Sequence, residues 1–255
     1  MKNSSFWIDI YADGADSASI LKHYRSGQVQ GFTTNPTLMA QVGIRDYEAF
    51  AKEILQTVTD LPISFEVFSD DFAEMHKQAL HMSNWGDNVF VKIPISNTKG
   101  QMSYDLIAQL THQGIKINVT AVFTKTQILE LKKVLSPEVP AIVSVFAGRI
   151  ADTGVDPEPI VRFAVDTYQN LALTKVLWAS SREVFNVYQA ERCGCHIITL
   201  TDSLLSKLKL KDYDLDHYSL DTVKMFYEDA MSSGLSLQVF GNRGPEFTEN
   251  MDTIL

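Results

Sequence analysis

Three ionisable residues stand inside segments otherwise dominated by apolar side chains: Asp9 in residues 6–11, Glu66 in residues 63–68 and Lys92 in residues 88–93. One such residue has ordinary explanations, since a lysine snorkels and an aspartate caps or turns. Three are harder to dismiss, because an unpaired charge held in an apolar strand is costly. The residue types suggest amine catalysis. A lysine ammonium, with a pKa of about 10.4 in water, is a poor nucleophile at neutral pH. Withdrawal from water favours a free amine, which attacks a ketone to give an imine. A protonated imine draws electrons from the adjacent carbon, which is what breaking a nearby carbon–carbon bond requires. Carboxyl groups beside it would move the protons.

The elements that must position these groups are short apolar runs separated by longer amphipathic segments. Runs at 6–11, 31–34, 63–68, 88–93, 115–120, 141–146, 175–179 and 195–199 are largely apolar on both faces, as strands of a covered parallel sheet are. Helical periodicity fills 16–25, 46–58, 70–82, 100–112, 124–135, 157–170, 182–190 and 202–208. Several of these open on a capping residue or an early proline, including Asp16, Asp70 and Pro157. Eight strand–helix units without a Gly/Ser-rich or Pro-rich linker predict a single (β/α)8 TIM barrel of the α/β class. An open doubly wound sheet would advertise a Gly-rich first turn, whereas the turn here is Tyr11-Ala12-Asp13-Gly14. A further C-terminal helix is expected over 221–231, closed by Gly234. The barrel domain is thus placed at 1–235. Residues 236–255 are expected to form a poorly ordered tail or a subunit contact in a homo-oligomer.

Barrel active sites lie at the C-terminal strand ends. The reading puts Asp9 at the end of strand 1, Thr33 and Asn35 at strand 2, Glu66 at strand 3 and Lys92 at strand 4. Asn118 and Thr120 fall in strand 5. Ser144 and Phe146 fall in strand 6 with Arg149 just beyond, and Ser180 and Arg182 follow strand 7.

Composition narrows the partners. The 255-residue chain is 45% hydrophobic, enough for a sizeable core, and carries a net charge of −9. Bulk charge gives no support for a nucleic-acid or anionic-membrane partner, so an anionic substrate would need a local positive cluster. Cys193 and Cys195, one glycine apart, suit neither a disulfide framework nor a zinc site and read as small apolar residues. The Walker phosphate loop and the HExxH zinc motif are absent, and no histidine cluster offers metal ligands. No metal and no cofactor are expected. The N-terminus lacks the apolar region of a signal peptide, and no run approaches the ~18 apolar residues of a membrane span. A cytoplasmic protein is expected.

The same positions carry a family resemblance. Ile8-Asp9, Gly31-Phe32-Thr33-Thr34-Asn35-Pro36-Thr37-Leu38, Glu66-Val67, Val91-Lys92-Ile93-Pro94, Gly114 to Thr120, Phe146-Ala147-Gly148-Arg149-Ile150 and Ala179-Ser180-Ser181-Arg182 occur in that order. Together they make the sequence similar to the transaldolase family from Phe6 to about Leu208. The resemblance implies a Schiff base on Lys92 and acid/base work by Asp9 on the C4 hydroxyl of a ketose. It implies a proton-shuttling water held by Glu66 and Thr120. Asn35 and Asn118 would bind hydroxyls of the retained three-carbon unit, and Thr33, Ser144 and Phe146 would line the same pocket. Arg149, Ser180 and Arg182 would take the phosphate. The implied reaction moves a dihydroxyacetone unit between sugar phosphates, as in the pentose phosphate pathway. Rival readings are a fructose 6-phosphate aldolase-type enzyme, an enzyme of a specialised sugar pathway, and a non-catalytic sugar-phosphate binding protein. Glu66 favours transfer, because the aldolase branch carries Gln at that position. Two departures stand out: the chain continues to Leu255, and Arg182 is followed by Glu183-Val184 instead of small polar residues.

Overall fold

The computed structural model describes residues 6–237. Eight parallel strands close into a barrel in sequence order: β1 (Asp9–Asp13), β2 (Gly31–Thr33), β3 (Ile63–Glu66), β4 (Val89–Pro94), β5 (Ile117–Val122), β6 (Ala141–Val145), β7 (Thr174–Trp178) and β8 (Ile197–Thr201). Around them run α1 (Ser17–Ser26), α2 (Pro36–Gln41), α3 (Tyr47–Leu55), α4 (Phe72–Ser83), α5 (Tyr104–His112), α6 (Lys125–Val134), α7 (Ala147–Asp152), α8 (Glu158–Tyr168), α9 (Phe185–Arg192) and α10 (Asp202–Lys207). The architecture is the (β/α)8 TIM barrel that the alternating pattern predicts. Each strand places one set of side chains against the helices, where most of the apolar core lies, and the alternate set inside the barrel. Inside, Tyr11, Ile142, Leu177, Ala179 and Ile197 form a separate apolar cluster.

Side-chain caps start many of the helices. Asp16 accepts from the Ser19 N–H, Asp46 from Ala49, and Thr124 with Gln127 forms a reciprocal capping box on α6. Pro157 precedes α8 as expected. Asp70 does not cap α4: Asp71 does, while Asp70 accepts from the Thr98 N–H and hydroxyl at 2.7 Å each. The short helices α2 and α7 follow strands 2 and 6 directly and carry too few turns to show an apolar period.

The first strand corrects the sequence reading. The apolar run at 6–11 is only partly strand; pairing with β8 runs from Asp9↔Ile197 to Asp13↔Thr201, and Asp13 faces Thr33 on β2. Phe6 and Ile8 are buried outside the ladder with the helix-facing core. Asp9 therefore begins the strand, and Asp13 ends it.

The chain divides into two compact units, one ending at Lys209 and one beginning at Leu210. The expected C-terminal helix, α11 (Leu215–Ser232), belongs to the second unit. Of the tail placed at 236–255, residues 238–255 lie outside the described residues. No helix among the described residues is long and apolar enough to cross a membrane.

Candidate active site

A cavity of about 370 Å³ opens at the C-terminal strand ends. Lys92, on β4, is buried there and makes two contacts through Nζ: 2.9 Å to Glu66 Oε2 and 2.9 Å to the Thr34 carbonyl. Glu66 is the last residue of β3 and stands directly beside Lys92 in the ladder, so strand register alone brings the pair together. Thr120, on β5, lines the same cavity, and its Oγ1 is buried without a hydrogen-bond partner among the described residues. A β-bulge follows it: the β5–β6 register shifts between Val119 and Val122, and Ala121 adopts a φ of 59°.

The carboxyl group facing Lys92 from strand 1 is Asp13, not Asp9. Asp13 lines the cavity, accepts from Thr33 Oγ1 at 2.7 Å and is hydrogen-bonded by the Asn35 side chain. Thr33 Oγ1 in turn lies 2.6 Å from Thr199 Oγ1 on β8. Burial pushes the Asp13 carboxyl above the usual range and the neighbouring Glu66 adds to this, while the Lys92 charge and the hydrogen bonds from Thr33 and Asn35 pull it back. Asp9 sits at the opposite end of the barrel, 3.3 Å from Lys175. Four residues of strand, about 13 Å, separate it from Asp13. The slip has a simple cause. Asp9, Tyr11 and Asp13 share the inward face, and a two-residue period does not say which end of the strand is open. What could have found Asp13 is its place as the last residue of the strand, level with Thr33.

Most of the other expected residues converge. Thr33, Asn35, Ser144, Phe146, Arg149, Ser180 and Arg182 all line the cavity. Asn35 has a second task, capping α2 through Oδ1 to the Leu38 N–H at 2.9 Å. Arg149 stands on α7, and Arg182 lies just before α9, its guanidinium paired with the Asp152 carboxylate. Gly148 lets α7 approach the end of β7: a Cβ there would come within 1.6 Å of the Ser180 carbonyl oxygen. Asn118 does not line the cavity. It is fully buried beside Lys92, accepts from Ser144 Oγ at 2.7 Å and donates to Ser64 Oγ at 3.0 Å, so its amide acts on Ser144 rather than on the cavity.

A profile of the Transaldolase/Fructose-6-phosphate aldolase family matches residues 10–238. The chain belongs to this family. Among its relatives, a probable transaldolase of Dehalococcoides mccartyi is 34% identical over 200 residues, covering 78% of this chain and 89% of the relative. One from Streptococcus equi subsp. equi is 36% identical over 204 residues, with 79% and 90% covered. One from Streptococcus agalactiae serotype V is 34% identical over 201 residues, with 78% and 88% covered. Membership of the transaldolase/fructose-6-phosphate aldolase family fits a cavity that joins a buried lysine, two carboxyl groups and two arginines. Arginine forks suit phosphate oxygens, and they supply the local positive charge that the acidic chain otherwise lacks.

Proposed function

We propose that the protein is a transaldolase that carries a dihydroxyacetone unit as a Schiff base on Lys92. The observation that supports this best is the buried Lys92 amine, set between Glu66 and the Thr34 carbonyl, with Asp13 in the same cavity. Glu66, in contact with Nζ, is placed to take a proton from the ammonium. The free amine attacks C2 of a ketose phosphate, and loss of water gives the imine. Glu66 and Thr120 would bind the water that exchanges protons in this step. Asp13 removes the proton from the C4 hydroxyl, the C3–C4 bond breaks, and the electron pair moves into the protonated imine to leave an enamine. An aldose phosphate departs with the new carbonyl. The enamine then attacks the aldehyde of an incoming aldose phosphate, and Asp13 returns its proton to the new C4 oxygen. Water releases the longer ketose and restores the amine. Arg149, Ser180 and Arg182 hold the phosphate, and Asn35 and Ser144 the retained hydroxyls. A carboxyl group whose pKa burial raises is suited to taking and returning a proton near neutral pH.

Borohydride reduction in the presence of fructose 6-phosphate should leave a three-carbon fragment on Lys92, located by mass analysis of the peptides. Labelling of another lysine, or persistent labelling of the Lys92→Ala variant, would overturn the assignment. Transfer from fructose 6-phosphate to erythrose 4-phosphate should also outpace addition of free dihydroxyacetone to glyceraldehyde 3-phosphate. The reverse ranking would make the protein an aldolase with the same imine.

A further inference from the structure

Tyr47 stands outside the cavity yet meets both residues that hold the Lys92 amine. It is the first residue of α3, with its ring edge-on to Phe65 at 6.0 Å and to Trp85 at 5.6 Å. Its phenol oxygen accepts the Glu66 N–H at 2.8 Å and is also paired with the Thr34 side chain. The Thr34 hydroxyl donates to the Ser64 carbonyl at 2.9 Å.

The β2–β3 ladder gives this contact its meaning. Its rungs run from the Phe32 N–H to the Pro62 carbonyl, 2.8 Å, and from the Thr34 N–H to the Ser64 carbonyl, 3.1 Å. In a parallel ladder the next rung would be the Glu66 N–H to the Thr34 carbonyl. That rung is not made. The Glu66 N–H goes to Tyr47, and the Thr34 carbonyl goes to Lys92 Nζ.

We propose that Tyr47 is a positioning residue for Lys92: by taking the Glu66 N–H it frees the Thr34 carbonyl to orient the amine, and it anchors the Glu66 backbone on the amine's other side. The inference rests on Lys92 being the Schiff-base lysine. Without the phenol, the Glu66 N–H is free to close the rung, and the Thr34 carbonyl turns away from Nζ. A small misplacement of a nucleophile is expensive in rate. Arg149 and Arg182, proposed above to hold the phosphate, make no contact with Tyr47 and are untouched.

The test compares wild type, Tyr47→Phe, Thr34→Val and the double variant. Steady-state kinetics with fructose 6-phosphate as donor are read together with the rate of borohydride trapping. Tyr47→Phe should lower kcat and the trapping rate by roughly tenfold or more, with donor KM within about twofold of wild type. A side chain that only packs α3 would lower thermal stability without that split. Thr34→Val removes the hydroxyl beside the phenol and should lower kcat in the same sense, and the double variant should lose less than the product of the two single losses. If Tyr47→Phe does not fold, Thr34→Val carries the test alone, and an unchanged kcat overturns the proposal. An unchanged kcat in Tyr47→Phe, a loss confined to KM, or full additivity also overturns it. Failure to label Lys92 in wild type would sink the Schiff-base reading and this inference with it, whereas a labelled wild type with normal variants sinks the inference alone.

Discussion

Asp13 combines burial with the acid/base role proposed for it, and both can be measured. Its carboxyl titrates higher in the folded chain than in the unfolded one, chiefly through burial. The folded state therefore binds more protons in that window, and stability falls as pH rises from about 3.9, the unfolded value, through the folded value. Asparagine carries no such penalty and still offers an oxygen to Thr33. The difference in thermal midpoint between Asp13→Asn and wild type should grow in favour of the variant as pH rises through this window, then level off. In the same variant kcat should fall by roughly 10²–10⁴, the usual worth of general acid–base catalysis. Asp9→Asn should keep wild-type kcat within about twofold, because that carboxylate lies at the other end of the barrel beside Lys175. A comparable loss in both variants would return the acid/base role to strand 1 as a whole. Arg182 answers to a different substrate feature. Its replacement by alanine should remove the charge-assisted phosphate contact proposed above, worth about 1.5–3 kcal/mol. Apparent affinity for phosphorylated donors should drop by roughly tenfold or more, while turnover of unphosphorylated dihydroxyacetone changes far less. Equal losses with both substrates would give Arg182 a structural role, through its pairing with Asp152.

Among the elements, α7 and the end of β7 are held to each other more tightly than side chains allow. Gly148 donates its N–H to the Ala179 carbonyl at 3.3 Å, and Ser180, at a φ of 63°, turns its own carbonyl onto the glycine. A methyl group at 148 has no room, so α7 must move off the strand and take Arg149 with it. Gly148→Ala should lower the thermal midpoint by roughly 2–12 °C, from an overpacking cost of about 1–3 kcal/mol. Donor KM should rise by about tenfold, and the imine should still form on Lys92. Unchanged KM would mean that Arg149 does not set the phosphate site. A second close approach crosses β1 and β2, where a Cβ at Gly31 would meet the Tyr11 ring at 2.5 Å. The tyrosine lies in the apolar cluster inside the barrel, one inward position below Asp13.

On the scale of the whole molecule, polar and apolar groups are sorted by level. Inside the barrel, apolar side chains such as Ile142, Leu177 and Ile197 pack together, and the cavity with Lys92, Glu66 and Asp13 opens at the C-terminal strand ends. A nucleophile set in an apolar barrel can be kept from bulk water without a metal to activate it. Among the described residues, no group of three or more His, Cys, Asp or Glu side chains is placed to hold a metal ion. Transfer through the proposed imine on Lys92 should survive dialysis against excess EDTA at its full rate. Loss of activity, restored by a divalent cation, would point to metal-assisted enolate chemistry in place of the imine.

Much of this was legible before any tertiary contact was known. Eight doubly apolar runs and their capped helices are local patterns, and they specify a barrel because buried parallel strands need helices on their outer side. Lys92 and Glu66 were legible for the same reason, as charges near the ends of apolar runs that have no other account. Register decided the rest. Asp9 and Asp13 share one face of one strand, and only the pairing of Asp13 with Thr33 and Thr201 shows which of them reaches the mouth. Asn118 was expected in the cavity from its place in strand 5, yet Ser64 and Ser144, on two other strands, engage its amide. Tyr47 falls within the helical segment at 46–58, whose period says nothing of its hydroxyl. Its hydroxyl meets Glu66 across 19 residues of sequence, where a ladder rung is left unmade. Strand period and helix caps act between residues a few positions apart, so sequence determined the elements. Depth along the barrel axis is set by hydrogen bonds between strands, so only the closed sheet decided which groups face the cavity.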